Sequence, residues 1–421
     1  MSASERGMVI VGAGECGVRA AFALREAGYE GPVHLVGDEL HLPYERPPLS
    51  KASDDGLSLK VIRDEQAFRD HAIRHMRGQA VARIDRDARQ VEFADGTRLG
   101  YDALLLATGA RARRLPMAAG LSRVHTLRSY DDALAMSARL RPGGRVTVVG
   151  GGFIGLEFAA LARGRGVAVT LLEAAPRLLM RAVPAEVAEA VQALHETNGV
   201  DLRIGAAISG MTEDADAVHI GFTDGTFLSA DAALVGIGAE PATELASAAG
   251  LVVENGIRVD RNLRMSDPSI FAAGDCCSFP LGQDGTHVRL ESWRNAQEQG
   301  ELAARNMLGH GVEHSAVPWF WSDQYDHTLQ IAGMATGTAR TVRREIGDGA
   351  FLLFHLAKSG RLVAVSGFSP GIVREVGAGV TYVEPGDTSS RSTYPNAASA
   401  NPACPARPTS APRSGRHRAR A

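Results

Sequence analysis

The apolar run Met8-Val9-Ile10-Val11 is too short for a helix, and Gly12-Ala13-Gly14-Glu15-Cys16-Gly17 closes it at once. A helical stretch follows through Arg25, and Val33-His34-Leu35-Val36 reads as a second strand. The same order returns at Val146-Thr147-Val148-Val149, with Gly150-Gly151-Gly152-Phe153-Ile154-Gly155, a helical stretch from Leu156 and a strand over 167–172. The pattern predicts two βαβ units whose first glycines lie 138 residues apart. Strand-like stretches with polar turns follow each unit: Gln90–Phe93 before Asp95-Gly96, and Val218–Phe222 before Asp224-Gly225. Each half then carries an apolar stretch, 103–107 and 232–237, ending in small residues, Thr108-Gly109 and Gly236-Ile237-Gly238, as strands that stop at a ligand crevice do.

From about Pro318 the pattern turns strand-rich, with 329–332 and 352–356 as candidate strands, and a third, smaller unit is expected there. Residues 388–421 are rich in Ser, Pro, Ala and Arg without apolar periodicity, so disorder is expected. His71 and His75, four apart, fall on a stretch that reads as helix, where without a third ligand they form a solvated face rather than a metal site.

Length and composition narrow the function classes. A chain of 421 residues allows two to four domains, and 45% hydrophobic with 22% charged residues is the balance of a folded globular protein. The net charge of −3, with basic residues dispersed, announces no nucleic-acid binder. Residues 407–421 hold five arginines and no acid, so the rest of the chain carries −8. Four cysteines without a CxxC pair are no disulfide framework, and a reducing, cytoplasmic compartment is expected. No run of 18 apolar residues marks a membrane span, and no secretion signal is apparent.

The chemistry rests on the glycine motifs. In the first, Gly12 permits the tight turn, Gly14 lets backbone amides approach a pyrophosphate, and Gly17 allows close helix–strand packing. Asp38 and Glu39, 21 and 22 residues after Gly17, stand where a ribose hydroxyl needs an acceptor. In the second motif, Gly150, Gly152 and Gly155 are followed after 18 residues by Glu173, whose carboxylate accepts from a 2′-hydroxyl and repels a 2′-phosphate. NADH is therefore expected over NADPH, although Arg177 and Arg181 lie close by in sequence. Of two dinucleotide sites in one chain, one can hold a flavin and the other a nicotinamide, the pair needed to pass a hydride between them.

With these motifs stand Pro43-Tyr44-Glu45-Arg46-Pro47-Pro48-Leu49-Ser50-Lys51, Ala107-Thr108-Gly109, Ala272-Ala273-Gly274-Asp275, Leu290-Glu291-Ser292 and Pro318-Trp319-Phe320-Trp321-Ser322-Asp323-Gln324-Tyr325. Taken together from residue 8 to about 333, the chain resembles the two-dinucleotide-fold flavoprotein reductases, and among them the ferredoxin reductases that serve bacterial oxygenases. The resemblance implies an α/β fold of the glutathione-reductase type: an FAD domain at 1–112 and 245–317, an NAD domain at 113–244, and a small α+β C-terminal domain at 318–387. It implies that the first glycine motif with Asp38 or Glu39 holds FAD, that Arg46 and Lys51 approach the flavin, and that Thr108, Gly109, Gly238, Gly274 and Asp275 belong to the cofactor sites. Glu291, Ser292 and Trp293 would lie near the flavin ring, with Trp321 packing on it from the third domain. Glu157 would face the nicotinamide and pair with Lys51, or else act only as a helix N-terminal acid stabilised by the dipole.

Residues 38–60 contain no cysteine, whereas the disulfide and peroxide reductases of this superfamily carry one or two there. Cys16, Cys276 and Cys277 read as small buried residues, since adjacent cysteines rarely pair. Electrons must then leave the flavin directly, which suits a 2Fe-2S ferredoxin and through it a terminal oxygenase. The reductase is expected to act as a monomer or homodimer. A rubredoxin reductase, an NADH oxidase or an NADH-sensing flavoprotein on the same scaffold are the alternatives. After about Arg361 the resemblance weakens.

Overall fold

The run Gly7–Val11 is buried along its whole length, as a central parallel strand covered on both faces must be. It pairs in parallel with Val33–Val36 on one side and with Arg98–Leu106 on the other. Ile73–Met76 extends the sheet beyond Val33–Val36, and Ile270–Ala272 adds to the far side of Arg98–Leu106. A computed structural model describes residues 6–51, 57–180, 182–282, 285–347 and 349–370 of the chain. The expected tail at 388–421, and 371–387 of the third unit, lie outside these residues.

The stretch read as a strand at 103–107 is the buried half of a longer one. Its first half, near Arg98, pairs antiparallel with Gln90–Phe93, and its second half joins the parallel sheet, so one nine-residue strand fuses the meander to the βαβ unit. The sequence hides this because the strand changes from alternating to continuous burial at Asp102.

The second unit repeats the plan. Asp201–Ile204, Ala168–Glu173, Arg145–Val149, Ala232–Val235 and Val124–His125 form a five-stranded parallel sheet in that order. Its meander, Ile208–Glu213, Val218–Phe222 and Phe227–Ala230, is a separate antiparallel sheet. The helix expected from Leu156 begins at Phe153, immediately after the glycine turn, so Gly155 falls inside its first turn. Two short strands, Ala110–Ala112 and Ala239–Pro241, pair antiparallel where the chain leaves the first sheet and comes back toward it.

Helix Trp293–Met307 lies against the first helix, Glu15–Glu26, and a Cβ at Gly300 would stand 2.5 Å from the Cys16 carbonyl oxygen, so only glycine permits this crossing. In the third unit, Trp319–Gln324, His327–Gly333, Leu362–Pro370, Ala350–Leu356 and Arg340–Gly347 form one antiparallel sheet in that order.

His71 and His75 do not share a helix. Helix Glu65–Asp70 ends at His71 and Ala72 takes a φ of 49°, so His75 falls on the strand Ile73–Met76, half-buried against Phe68. Burial pushes its imidazole down to about 4. Among the described residues Cys16, Cys276 and Cys277 are free and buried, and no helix is long and apolar enough to cross a membrane.

Candidate active site

Both glycine turns open into one cleft of about 570 Å³ between the first two units, with the third unit forming part of its wall. Gly12, Gly14, Asp38, Glu39, Arg46, Lys51, Thr108, Gly109, Gly274 and Asp275 line it from the first unit, and Gly152, Glu157 and Gly238 from the second. Glu291, Ser292 and Trp293 come from the start of helix Trp293–Met307, which Ser292 caps, and Trp321 from the third-unit strand Trp319–Gln324. Gly17, Gly150, Gly155 and Glu173 do not reach its surface. They shape the turns behind it.

The glycines divide their work by geometry. Gly12 and Gly150 have φ of 115° and 110°, the left-handed region that side chains avoid. A Cβ at Gly17 would lie 1.9 Å from the Gly12 carbonyl oxygen, and one at Gly155 would lie 2.2 Å from that of Gly150. At Gly14 a Cβ would meet nothing within 4 Å, so that backbone faces open space at the start of helix Glu15–Glu26. That is the arrangement an anionic pyrophosphate requires.

Glu173 Oε2 accepts from the Gly151 amide at 2.6 Å and its Oε1 from the Ala175 amide at 2.7 Å, which ties the strand end Ala168–Glu173 to the second glycine turn.

Around the proline-rich turn, Arg46 donates to Glu39 at 2.6 Å and to the Arg128 carbonyl at 2.6 Å, and its guanidinium lies over the Tyr44 ring. Tyr44 Oη donates to Glu39 at 2.5 Å and accepts from the Tyr130 amide at 2.9 Å. Burial pushes the Tyr44 phenol up to about 12. Glu39 is thus fully engaged, and Asp38 is left exposed at the cleft.

Arg128 was not apparent from sequence. Its guanidinium pairs with Asp275 at 2.8 Å on the cleft wall, while its buried Nε has no hydrogen-bond partner. A cation with an unpaired donor, on the wall of a cleft that the first glycine turn also lines, fits a phosphate-bearing dinucleotide.

Lys51 lies nearest to the third unit: its Nζ is 2.6 Å from Asp323 and 3.9 Å from Glu157. The expected Lys51–Glu157 pair is therefore the looser arm of a triad completed by Asp323. Glu157 sits beyond the first turn of helix Phe153–Gly164 and is 6% exposed, so it is not a dipole-stabilised terminal acid. Ser50 and Ser322 each donate to it, Ser322 at 2.6 Å to Oε1. Burial raises the Glu157 carboxyl, opposed by Lys51 and by the two serines. Ser50, Ser322 and Asp323 adjoin recognised residues in sequence, but their convergence on Lys51 and Glu157 is a tertiary fact.

Next to this triad, Trp293 meets Trp321 edge-on at 6.2 Å, and Trp319 stacks behind Trp321 at 5.2 Å, so Trp321 rather than Trp319 faces the cleft. Lys51 Nζ stands 5.0 Å from the centre of the Trp321 ring.

The chain matches the pyridine nucleotide-disulphide oxidoreductase family over residues 6–300. It belongs to that family. The reductase C-terminal family matches residues 319–376, the segment that supplies Trp321, Ser322 and Asp323. Among relatives in this family, rhodocoxin reductase of Rhodococcus erythropolis is 42% identical over 82% of this chain and 83% of its own length. The ferredoxin–NAD(+) reductase component of the anthranilate 1,2-dioxygenase system of Burkholderia cepacia is 42% identical over 88% and 92%. The solved ferredoxin reductase for the CYP199A2 system from Rhodopseudomonas palustris superposes with a TM-score of 0.81 at 38% identity, over 86% of this chain and 91% of that one. The putidaredoxin reductase of the covalent putidaredoxin reductase–putidaredoxin complex gives 0.81 at 39% identity, over 87% and 90%.

Proposed function

We propose that this oxidoreductase takes electrons from NADH through FAD to a 2Fe-2S ferredoxin, and through it to a terminal oxygenase. The observation that carries this reading is the single cleft into which both glycine turns open, so that two dinucleotides bound at them would share one space. Its relatives named as ferredoxin reductases of oxygenase systems support the choice of acceptor.

Bound in this cleft, FAD supplies the conversion of a two-electron donor into single-electron deliveries. The chain's residues place and insulate. Gly12, Gly14 and Gly17 form the flavin turn, Arg128 brings its guanidinium to the cleft wall as a cation for phosphate, and Asp38 is free to accept from a ribose hydroxyl. Gly150, Gly152 and Gly155 form the nicotinamide turn, and Glu173, held behind that turn by the Gly151 and Ala175 amides, acts on a 2′-phosphate there only through its negative charge, which disfavours it. Lys51, fixed by Asp323 and Glu157, holds a cation at the cleft, and Trp293 and Trp321 exclude water from one wall. The division of the chain near residues 112, 244 and 317 and a cytoplasmic site of action belong to the same reading.

The test is reduction of cytochrome c by the purified flavoprotein with NADH or NADPH, with and without an added 2Fe-2S ferredoxin. Strong stimulation by ferredoxin with NADH, and a much smaller rate with NADPH, is expected. Fast flavin bleaching by NADH without any stimulation would remove ferredoxin as the acceptor.

A further inference from the structure

A line of buried polar groups runs away from the cleft, and its hydrogens all point one way. His195, in the last turn of helix Ala185–Thr197, is fully buried, as are Gln324 and Ser322 at 0% exposure. His195 Nε2 lies 3.0 Å from Gln324 Oε1, Gln324 Nε2 donates to Ser322 Oγ at 2.8 Å, and Ser322 Oγ donates to Glu157 Oε1 at 2.6 Å. Tyr325, held at a φ of 57° in the following hairpin turn, places its hydroxyl 3.4 Å from His195 Nδ1. The line leaves the second unit at Glu157, crosses the third-unit strand Trp319–Gln324 and re-enters the second unit at His195.

Donor and acceptor roles lock one another. With the Gln324 amide nitrogen on Ser322, its oxygen faces His195, so His195 must carry its proton on Nε2 and present Nδ1 to the Tyr325 hydroxyl. Ser322 Oγ then accepts from Gln324 and directs its one hydrogen to Glu157. With the amide turned over, Gln324 Oε1 would face Ser322 and draw that hydrogen away from the carboxylate. Successive polarised bonds of this kind strengthen one another in a dry interior.

We propose that His195, Gln324 and Ser322 are positioning residues that hold Glu157 as an ionised acceptor against the cleft, so that the third unit's docking sets the charge beside the nicotinamide. The inference rests on the proposed function and on the reading in which Glu157 faces the nicotinamide. The charged groups facing Glu157 are Lys51 at 3.9 Å and Asp323, which Lys51 binds at 2.6 Å, and Arg163 acts on Tyr325 at the far end. Burial pushes His195 down to about 4, so the ring stays neutral through the working range. Ser50 has a second acceptor in the Pro47 carbonyl at 3.5 Å, whereas Ser322 has Glu157, which makes the Ser322 arm the one that the relay controls.

The experiment follows anaerobic bleaching of the FAD-loaded enzyme by NADH across pH, with absorbance confirming one FAD per chain. Glu157→Gln identifies the pH step that belongs to Glu157 by abolishing it. Gln324→Met and His195→Phe are expected to move that step upward by about one pH unit, and His195→Gln, which restores a donor near the Nε2 position, to return it toward the parent value. A change that merely loosened packing would alter stability without moving the midpoint. If Glu157→Gln leaves the step in place, the role assigned to Glu157 falls and the inference with it. If Glu157→Gln removes the step but FAD-loaded Gln324→Met keeps it at the parent position, the role of Glu157 stands and the relay is overturned.

Discussion

Gly14 and Gly17 lie three residues apart in one turn and are constrained for opposite reasons. A methyl at Gly17 meets backbone at 1.9 Å and cannot be accommodated without shifting the helix, whereas a methyl at Gly14 enters the space kept for the cofactor. Gly17→Ala should therefore cost the FAD-free protein about 2 kcal/mol or more, while Gly14→Ala should leave its stability within about 1 kcal/mol and instead weaken FAD binding. Urea unfolding of both apoproteins, with FAD affinity by fluorescence, separates them; equal losses of stability would contradict the division of roles. The glycine roles were legible because Gly12, Gly14 and Gly17 all lie in one six-residue turn between a strand and a helix. Arg128, Ser322 and Asp323 were not, because what makes them part of the site is a partner 147, 165 and 272 residues away.

Strands were legible where one burial pattern, alternating or continuous, holds along the whole element. Gln90–Phe93 and Val218–Phe222 have the bounds that alternation predicts, and Val33–Val36 those of its apolar run. The misplacement of His71 and His75 shows the limit: a four-residue spacing marks one helix face only if the helix continues, and here it stops at Asp70. The elements also bury histidines as neutral rings, which makes the fold acid-sensitive. His195 has its ring pushed down from near 6.5 to about 4 by burial, so between those values the unfolded chain binds a proton that the native state refuses. The stability it supports is complete above pH 6.5, declines as pH falls and is gone by about pH 4, amounting to about 3 kcal/mol. Urea midpoints compared at pH 7.5 and pH 5 should fall less in His195→Gln than in the parent chain; an identical fall would show that His195 is not a source of the acid sensitivity.

At the scale of the molecule, the repetition of one βαβ plan was plain in the sequence, but the union of both turns in a single cleft was not, because it depends on how the paired crossing strands Ala110–Ala112 and Ala239–Pro241 set one sheet against the other. The third unit closes that cleft with Trp321 and fixes Lys51 through Asp323, so three units rather than two build the cleft. Apart from its last 15 residues the chain carries −8, so attraction of an acidic ferredoxin would depend on a local excess of cations. Ferredoxin reduction should accordingly slow as ionic strength rises from 0.02 to 0.5 M, with flavin reduction by NADH unchanged; a rate indifferent to salt would exclude electrostatic docking. The most direct test of the whole account is an anaerobic titration of the FAD-loaded enzyme, first with one equivalent of NADH and then with oxidised 2Fe-2S ferredoxin. Complete bleaching by one equivalent, followed by full return of the flavin spectrum on adding two equivalents of ferredoxin, is the predicted result. A bleached flavin that ferredoxin fails to restore, or bleaching that requires a second equivalent of NADH, would contradict direct transfer through one cleft to a one-electron protein acceptor.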